Sequence, residues 1–594
     1  MIGISTFAKR TLANLGFAKR KFAKHTLANQ KGYLLLLVPL VLVGLSALTF
    51  RSMSRSRVSM RIAGAQLNYL QTQMCAEQCA AVAVNAVNRS LEGNGRVTQH
   101  GEACGCADPN PGKSMDCATS FAAPQEKRET NCYGLEVAKT DVDIGVSCHE
   151  GETQAITLDE NVSFQEVPIF QFAVFFDRVL ELYPGADMDI RGRMHSNDTL
   201  RVFPSQNKLR MYDWVTSATV ITGQYSKDGS PSWEAFPLMD GSGPDALMSF
   251  GNLTHRPLHE LIPGWDAWQK NHRVAYGDRA GGCGHVDRLE LPVKGLTDPH
   301  ALIDWRDTYD GEELKRQKYA WRASLIYKDG WRDNNMVTTT LAPDPLGIAN
   351  PKAIKDPTGK RVMFWNSQDN LMVKLLPINV ASLQQRPGDS VVYLYDSYPD
   401  ASQGGQDAGG FFLYNGKSLK HPLSIVSNHR MYQWGDFNVD SSYVLPGGKG
   451  PYPASLVSDF YTQLSNEWDG NQFQKSMPLG GPSIKGKKSN ARLVLNACIM
   501  SGMTEKNGSW TGQGGYQNLI HFSEDWTGVP VAYSGSSVCL WSSRTAHGVY
   551  STAFYGAPVR PWNFDSMYKK MENMPPGTPR LVAPKLNSWQ LSRF

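Results

Sequence analysis

At 594 residues the chain exceeds what one hydrophobic core usually serves, so two or three structural regions are expected. The net charge of +5 owes much to residues 1–32, and without them the balance is close to neutral, which leaves no basic surplus for nucleic acid. Charged residues make up only 19%, while 54 Gly, 34 Pro, 15 Trp and 23 Tyr give the turn-rich, aromatic texture of exported all-β proteins.

The leader carries an imperfect repeat, FAKRTLAN and FAKHTLAN, and through Lys31 it holds seven Lys and Arg with no acidic residue. That asymmetry keeps this end in the cytoplasm and places the bulk of the chain outside. YLLLLVPLVLVGLSALTF, residues 33–50, follows as eighteen apolar or small residues, close to the lower limit for a bilayer-spanning helix. Leu34, Leu37, Pro39, Leu42 and Phe50 are its anchor residues. RSMSRSR comes next, where a secretory signal would have a small-residue cleavage site, so simple cleavage after the core is not expected. An unprocessed single-pass anchor and a signal cut before the apolar run both remain. Beyond it, Ala63, Leu67, Leu70, Met74 and Ala81 fall near helical spacing and predict one long helix over 33–92.

Lys31-Gly32 followed by Tyr33 resembles a prepilin-type cleavage site, with Tyr33 as first mature residue. The apolar run and its helical continuation resemble the start of type IV pilin-like subunits, most of all the PilX-like minor pilins and pseudopilins. The resemblance implies prepilin peptidase and other pilin or pseudopilin subunits as partners, reached through the N-terminal helix. Most major pilins carry Glu at the fifth mature position, where Leu37 stands here, and that departure implies a tip or initiating role.

Seven of the ten cysteines crowd residues 75–148: Cys75, Cys79, Cys104, Cys106, Cys117, Cys132 and Cys148. Outside the cytoplasm such a cluster reads as a disulfide framework stapling a loop region, 93–150, that has almost no apolar pattern. Cys75 and Cys79 lie one helical turn apart, so each is expected to bond a cysteine of the 104–148 stretch rather than its neighbour. The odd count leaves one free or paired with Cys283, Cys498 or Cys539. Zinc is the rival, though Cys104, Cys106, Cys117 and Cys132 lack the usual ligand-pair spacing.

From residue 151 to 594 short Val-, Ile- and Phe-rich runs alternate with turn formers, predicting a mainly β head with a mixed insertion at about 216–420. Asn and Gly corners between strands suit a parallel β-helix; a β-sandwich or mixed α+β fold is the alternative. FQFAVFFD, then GRMHSNDTLRV with His195, Ser196 and Asn197, is similar to PilX-like exported proteins. So are the later stretches around Gly435, Asp436 and Asn438, around Asn466 and Trp468, and around Gly515, Asn518 and Trp526. These are read as family-like turn motifs, and the resemblance implies no enzymatic activity.

No catalytic spacing stands out in the sequence, and no cofactor or metal is expected. Cys283, His285 and Asp287 form at most a metal half-site, and Pro257 argues against a helical His255/His259 pair. Asp304, Asp307, Asp310 and Glu312, and likewise Asp396, Asp400 and Asp407, read as solvated turns rather than calcium loops. Tyr432, Trp434, Phe437, Trp468, Trp526, Trp541 and Trp562 are either core or rings for a surface glycan. The sequence therefore points to a non-enzymatic pilin-like subunit of a type IV pilus or type II secretion-like machine, acting in assembly or tip adhesion. It would sit in the inner membrane by a single span, or at the cell surface once in a filament. A permanently anchored, glycan-binding envelope module and a secreted hydrolase are the alternatives.

Overall fold

One α-helix runs over Lys31–Asn94 with Pro39 inside it. Its packed face is Thr72, Cys75, Ala76, Cys79, Ala80 and Ala83, all buried, spaced three and four residues apart as one side of a helix requires. Leu67, Leu70 and Met74, three of the residues that set the expected period, lie on the exposed side instead. The small packed residues let the helix lie close on an antiparallel sheet through Val142, Ile144, Val146, Leu158, Val162 and Phe164. The computed structural model describes residues 31–593 apart from 95–103, 108–113, 123–124, 151–155, 183–186, 203–208, 224–233, 240–243, 247–255, 263, 280–282, 284, 294–295, 330, 335–336, 341–353, 356–359, 370, 384–389, 399–406, 441–442, 446–447, 471–490, 505–514, 547 and 549–555. Of the expected leader, residues 1–32, residues 1–30 lie outside the described residues, and Lys31 and Gly32 begin the helix.

That sheet runs in the order Cys104–Ala107, Ser114–Phe121, Glu136–Glu150, Ile156–Pro168 and Arg580–Arg593, with Gln125–Thr130 also pairing to Glu136–Glu150. The segment expected to be a stapled loop thus supplies strands. The sheet also crosses the boundary expected at 150, because the C-terminal strand Arg580–Arg593 pairs antiparallel with Ile156–Pro168. Everything between those two strands is inserted into the helix-and-sheet unit.

The insert is a three-faced parallel β-helix. Its longest face carries, in spatial order, Leu325–Lys328, Val391–Tyr395, Leu423–Ser427, Ala454–Ser458, Cys498–Ser501, Ser537–Cys539, Val174–Phe176, Met194–Ser196, Val215–Ser217 and Val274–Tyr276, all parallel. A second face stacks Leu371–Asn379, Phe411–Tyr414, Met431–Trp434, Tyr461–Leu464 and His521–Phe522. Leu180–Leu182, Leu200–Val202 and Ile221–Gly223 make a corresponding stack in the earlier coils. Third-face pairs are Leu493–Asn496 with Val531–Ser534 and Met188–Ile190 with Leu209–Met211.

The chain therefore enters the stack in the middle, winds to one end at Tyr276, passes to the opposite end at Leu325, and winds back until Ser537–Cys539 docks on Val174–Phe176. Several strands inside the expected 216–420 insertion, among them Val274–Tyr276, Leu325–Lys328, Val391–Tyr395 and Phe411–Tyr414, are coils of this stack, while Glu234–Pro237 with Pro244–Ala246 and Trp331–Asn334 with Val337–Thr340 are antiparallel hairpins.

Corners explain the recurring Ser-Asn and Ser-Asp signals. Ser427, Ser458 and Ser501 stand in register at strand ends, as do Ser196 and Ser217, and all five are fully buried. Where a strand bends inward, a short hydroxyl can close the corner on the backbone: Ser196 Oγ donates to Arg178 O at 2.9 Å, and Ser217 Oγ to Asp198 O at 2.7 Å.

Candidate assembly interface

Every residue of the long helix from 38 to 68 is exposed, about 46 Å of helix at 1.5 Å per residue. Over residues 38–50 the exposed side chains are apolar or small all round the cylinder, with Leu40 74%, Leu42 60% and Phe50 77% exposed, and from Arg51 onward arginines and serines interrupt them. Scattered exposed apolar residues are ordinary, but a continuous sleeve of this length calls for a covering phase or partner. Gly32, Tyr33, Leu34, Leu37 and Pro39 all lie on the helix, and the side chains of 31–37 are outside those described. Among the described residues no helix is long and apolar enough to cross a membrane, so the expected single-pass anchor has no support there.

The base of the helix is rich in disulfides. Cys117 is bonded to Cys148, and Cys75 and Cys79 are also disulfide-bonded. Sulfurs of Cys75, Cys79, Cys117 and Cys148 lie within 4.8 Å of one another, a spacing that also suits a metal. Oxidised sulfur is not a thiolate, however, and it does not serve as a zinc ligand. Cys132 is bonded to Cys283 on the segment that follows Tyr276, which ties the sheet unit to the β-helix. Cys283 is thereby removed from the metal half-site, whose His285 instead pairs with Asp278. His255 lies outside the described residues; His259 meets the Tyr276 hydroxyl at 2.9 Å. Cys498 and Cys539 are free, buried thiols whose pKa burial raises, the second to about 12. The side chains of Cys104 and Cys106 are outside those described, and their backbones pair with Cys117 and Met115.

The sequence-picked turn motifs are structural. His195 is buried, and burial pushes its imidazole down to about 4 against the hydrogen bond it donates to Asn197. Its ring nitrogens meet Thr216 Oγ1 at 2.9 Å and Asn197 Oδ1 at 3.0 Å. Asn197 also accepts from Leu289 N at 2.9 Å and donates to Leu289 O at 2.7 Å. Gly435 adopts φ +75°, and a Cβ there would sit 2.7 Å from Asn466 Oδ1, so glycine is required. That same oxygen accepts from Asp436 N at 2.9 Å. Asn438, at φ +57°, donates to Tyr452 O and Asn496 O. Gly515 opens the short turn Tyr516–Asn518 at φ +86°.

Of the two readings of the turn-flanking aromatics, core or recognition rings, the structure places them in or against the core. Tyr432, Phe437, Trp468, Trp526, Trp541 and Trp562 are buried, and Trp434 is half-buried. The acidic turns are taken up by cations of the chain. Lys318 Nζ meets both oxygens of Asp310 at 2.9 Å, Lys315 pairs with Glu312, and Lys374 with Asp407. Buried Asp396 takes a bidentate pair of bonds from Arg361 at 2.7 and 2.9 Å.

Sequence reading missed the network that closes the stack. His300, on the crossing segment, donates from Nδ1 to Asp304 at 2.8 Å and from Nε2 to fully buried Asp459 at 3.0 Å. Burial alone would lower its pKa, but the two carboxylates outweigh that and hold it up at about 9. A folded-state value above the ordinary 6.5 means that the imidazolium stabilises the fold below pH 6.5 and that this contribution is lost as pH rises through 9. The difference corresponds to about 3 kcal/mol. Chemical denaturation of the chain is thus expected to show midpoints that fall between pH 6.5 and 9, and His300→Gln is expected to flatten that slope.

No family model matches the sequence, and no curated protein matches it. Among solved structures, the crystal structure of competence-associated pilin ComZ from Thermus thermophilus aligns over 88% of this chain and 98% of that one. Identity is 11% and the TM-score 0.20, a likeness too slight to establish a shared fold.

Proposed function

We propose that the chain is a minor, pilin-like subunit or accessory of a type IV pilus or type II secretion-like machine, acting in assembly or at a tip rather than in catalysis. The observation that supports it most is the exposed helix of residues 38–68, apolar over 38–50, whose later turns pack through Cys75, Ala76, Cys79, Ala80 and Ala83 on an antiparallel sheet. Such a helix buries its sleeve first in lipid and then among the helices of neighbouring subunits. Lys31-Gly32 before Tyr33 supplies the prepilin-type site, and Leu37 in place of a carboxylate suits a subunit with no neighbour beyond it. The β-helix then forms a head held outside the cytoplasm.

The mature chain is expected to begin at Tyr33, and Gly32→Ala to leave residues 1–32 attached while membrane insertion persists. Mass spectrometry of the membrane-extracted protein from cells with an active prepilin peptidase checks this. A leader still attached in the unaltered protein would refute the pilin reading.

One observation favours the anchored, glycan-binding alternative. Trp321 is exposed and Trp305 and Tyr395 are half-buried at the Leu325 end of the stack, with Arg306, Lys315 and Lys328 over these rings. Rings of this kind stack on sugars. A glycan screen in which Trp321→Ala abolishes a hit, with the leader unprocessed, would support that reading instead.

A further inference from the structure

Where the sheet unit meets the β-helix there is a cavity of about 70 Å³, bounded by the turn at 131–135, strand Ile156–Pro168, the corners at 193–195 and 214–216, and residues 285–289. Bonding of Cys132 to Cys283 holds the last of these against the first.

Arg193 lines the cavity and is only 7% exposed. Its Nε donates to Tyr133 O at 2.9 Å, but its buried Nη1 has no hydrogen-bond partner among the described residues. Tyr133 also lines the cavity, and its buried hydroxyl is likewise without one. Buried polar groups are almost always satisfied, and a buried guanidinium stays charged, so two such donors on one void call for an acceptor.

Size and charge define that acceptor. A single water needs roughly 10–15 Å³ of such volume, and a void of about 150 Å³ holds benzene, so this cavity accommodates a few non-hydrogen atoms. It offers one guanidinium, with Asp213 and Arg273 beside it opposing each other. Asp287 lines the same void, so an occupant carrying two negative charges is disfavoured over one carrying a single charge on Arg193. His195 is already committed to Thr216 and Asn197. Leu135, Val167, Phe172 and Trp214 give the wall an apolar side, and Asn131, Gln165, Thr216 and His285 also line it.

We propose that this cavity is a binding site for a short monocarboxylate of acetate size, its carboxylate on Arg193 Nη1 and Tyr133 Oη and its methyl end against the apolar wall. No bond is made or broken; the site is for binding. It is independent of the assembly reading.

Saturation-transfer NMR on the detergent-solubilised full chain, with acetate as probe, tests it. Acetate is expected to bind saturably, with methyl protons receiving the strongest transfer, and inorganic phosphate not to displace it. Arg193→Gln and Tyr133→Phe are each expected to weaken binding by roughly tenfold or more, the loss of a hydrogen bond to a charged group. Tyr133→Phe keeps the ring against Trp214, so it serves if the arginine variant fails to fold. No saturable signal, undiminished binding in the Tyr133→Phe protein, or equal displacement by phosphate would overturn the proposal.

Discussion

Asp459→Ala is expected to destabilise the protein by about 3–5 kcal/mol, the cost of stripping one partner from a buried ion pair. Asp459 is fully buried and accepts from five donors on two other segments. His300 Nε2 stands at 3.0 Å, Ser543 Oγ at 2.6 Å, Arg544 N at 2.7 Å and Thr545 N at 3.0 Å, and Thr545 Oγ1 completes the set. Arg544 in turn reaches Asp298 and Asp304. One carboxylate thus joins a coil corner, the crossing segment and the stretch after the last strand of the longest face. Burial would raise its pKa, but His300, Ser543 and Thr545 hold it well below the carboxylate range. Its contribution is therefore present above the ordinary 3.8 and is lost only at strongly acid pH. Denaturant unfolding followed by circular dichroism checks the effect. Asp459→Asn keeps one acceptor oxygen but sets its NH2 against Arg544 N or Thr545 N, so it should also destabilise, while letting His300 titrate closer to 6.5. An unchanged midpoint in Asp459→Ala would show that the junction does not hold the stack together.

Leu42→Arg is expected to abolish stable membrane association and, with it, incorporation into any filament. Leu42 is 60% exposed on the helix, so no part of the folded chain shelters a charge placed there. An arginine at mid-membrane depth costs about 2.5–3.5 kcal/mol on insertion scales, and an eighteen-residue run near the minimum length has little apolar surplus against it. Leu67→Arg, on the same exposed helix but beyond the apolar run, should leave insertion intact. Carbonate extraction of membranes followed by immunoblotting distinguishes the two. Recovery of Leu42→Arg in the membrane pellet at the level of the unaltered protein would remove the membrane stage from the proposed function.

The sequence by itself determined whatever depends on neighbours along the chain. An apolar run flowing into helically spaced small residues specified one long helix, and the cluster Cys75–Cys148 marked a disulfide-rich base. Ser196-Asn197 and Gly435-Asp436 marked corners, because short hydroxyls, side-chain amides and left-handed backbone act within a few residues. Tertiary structure alone decided which coil lies on which. Parallel strands pair only after long, unequal excursions, such as the stretch from Leu464 to Leu493, so no fixed repeat survives in the sequence. For the same reason the docking of the last coil on the first is not visible there, nor the return of Arg580–Arg593 to the N-terminal sheet. Of the turn-flanking aromatics, Phe437, Trp526, Trp541 and Trp562 entered the main core, whereas Tyr432 and Trp468 pack with Phe364 and Phe412 in a second cluster, a division set by which side of the coil each faces. Asp459 and His300, 159 residues apart, carry no local signal, because a buried charge pair is recognisable only once folding has excluded water from between its members.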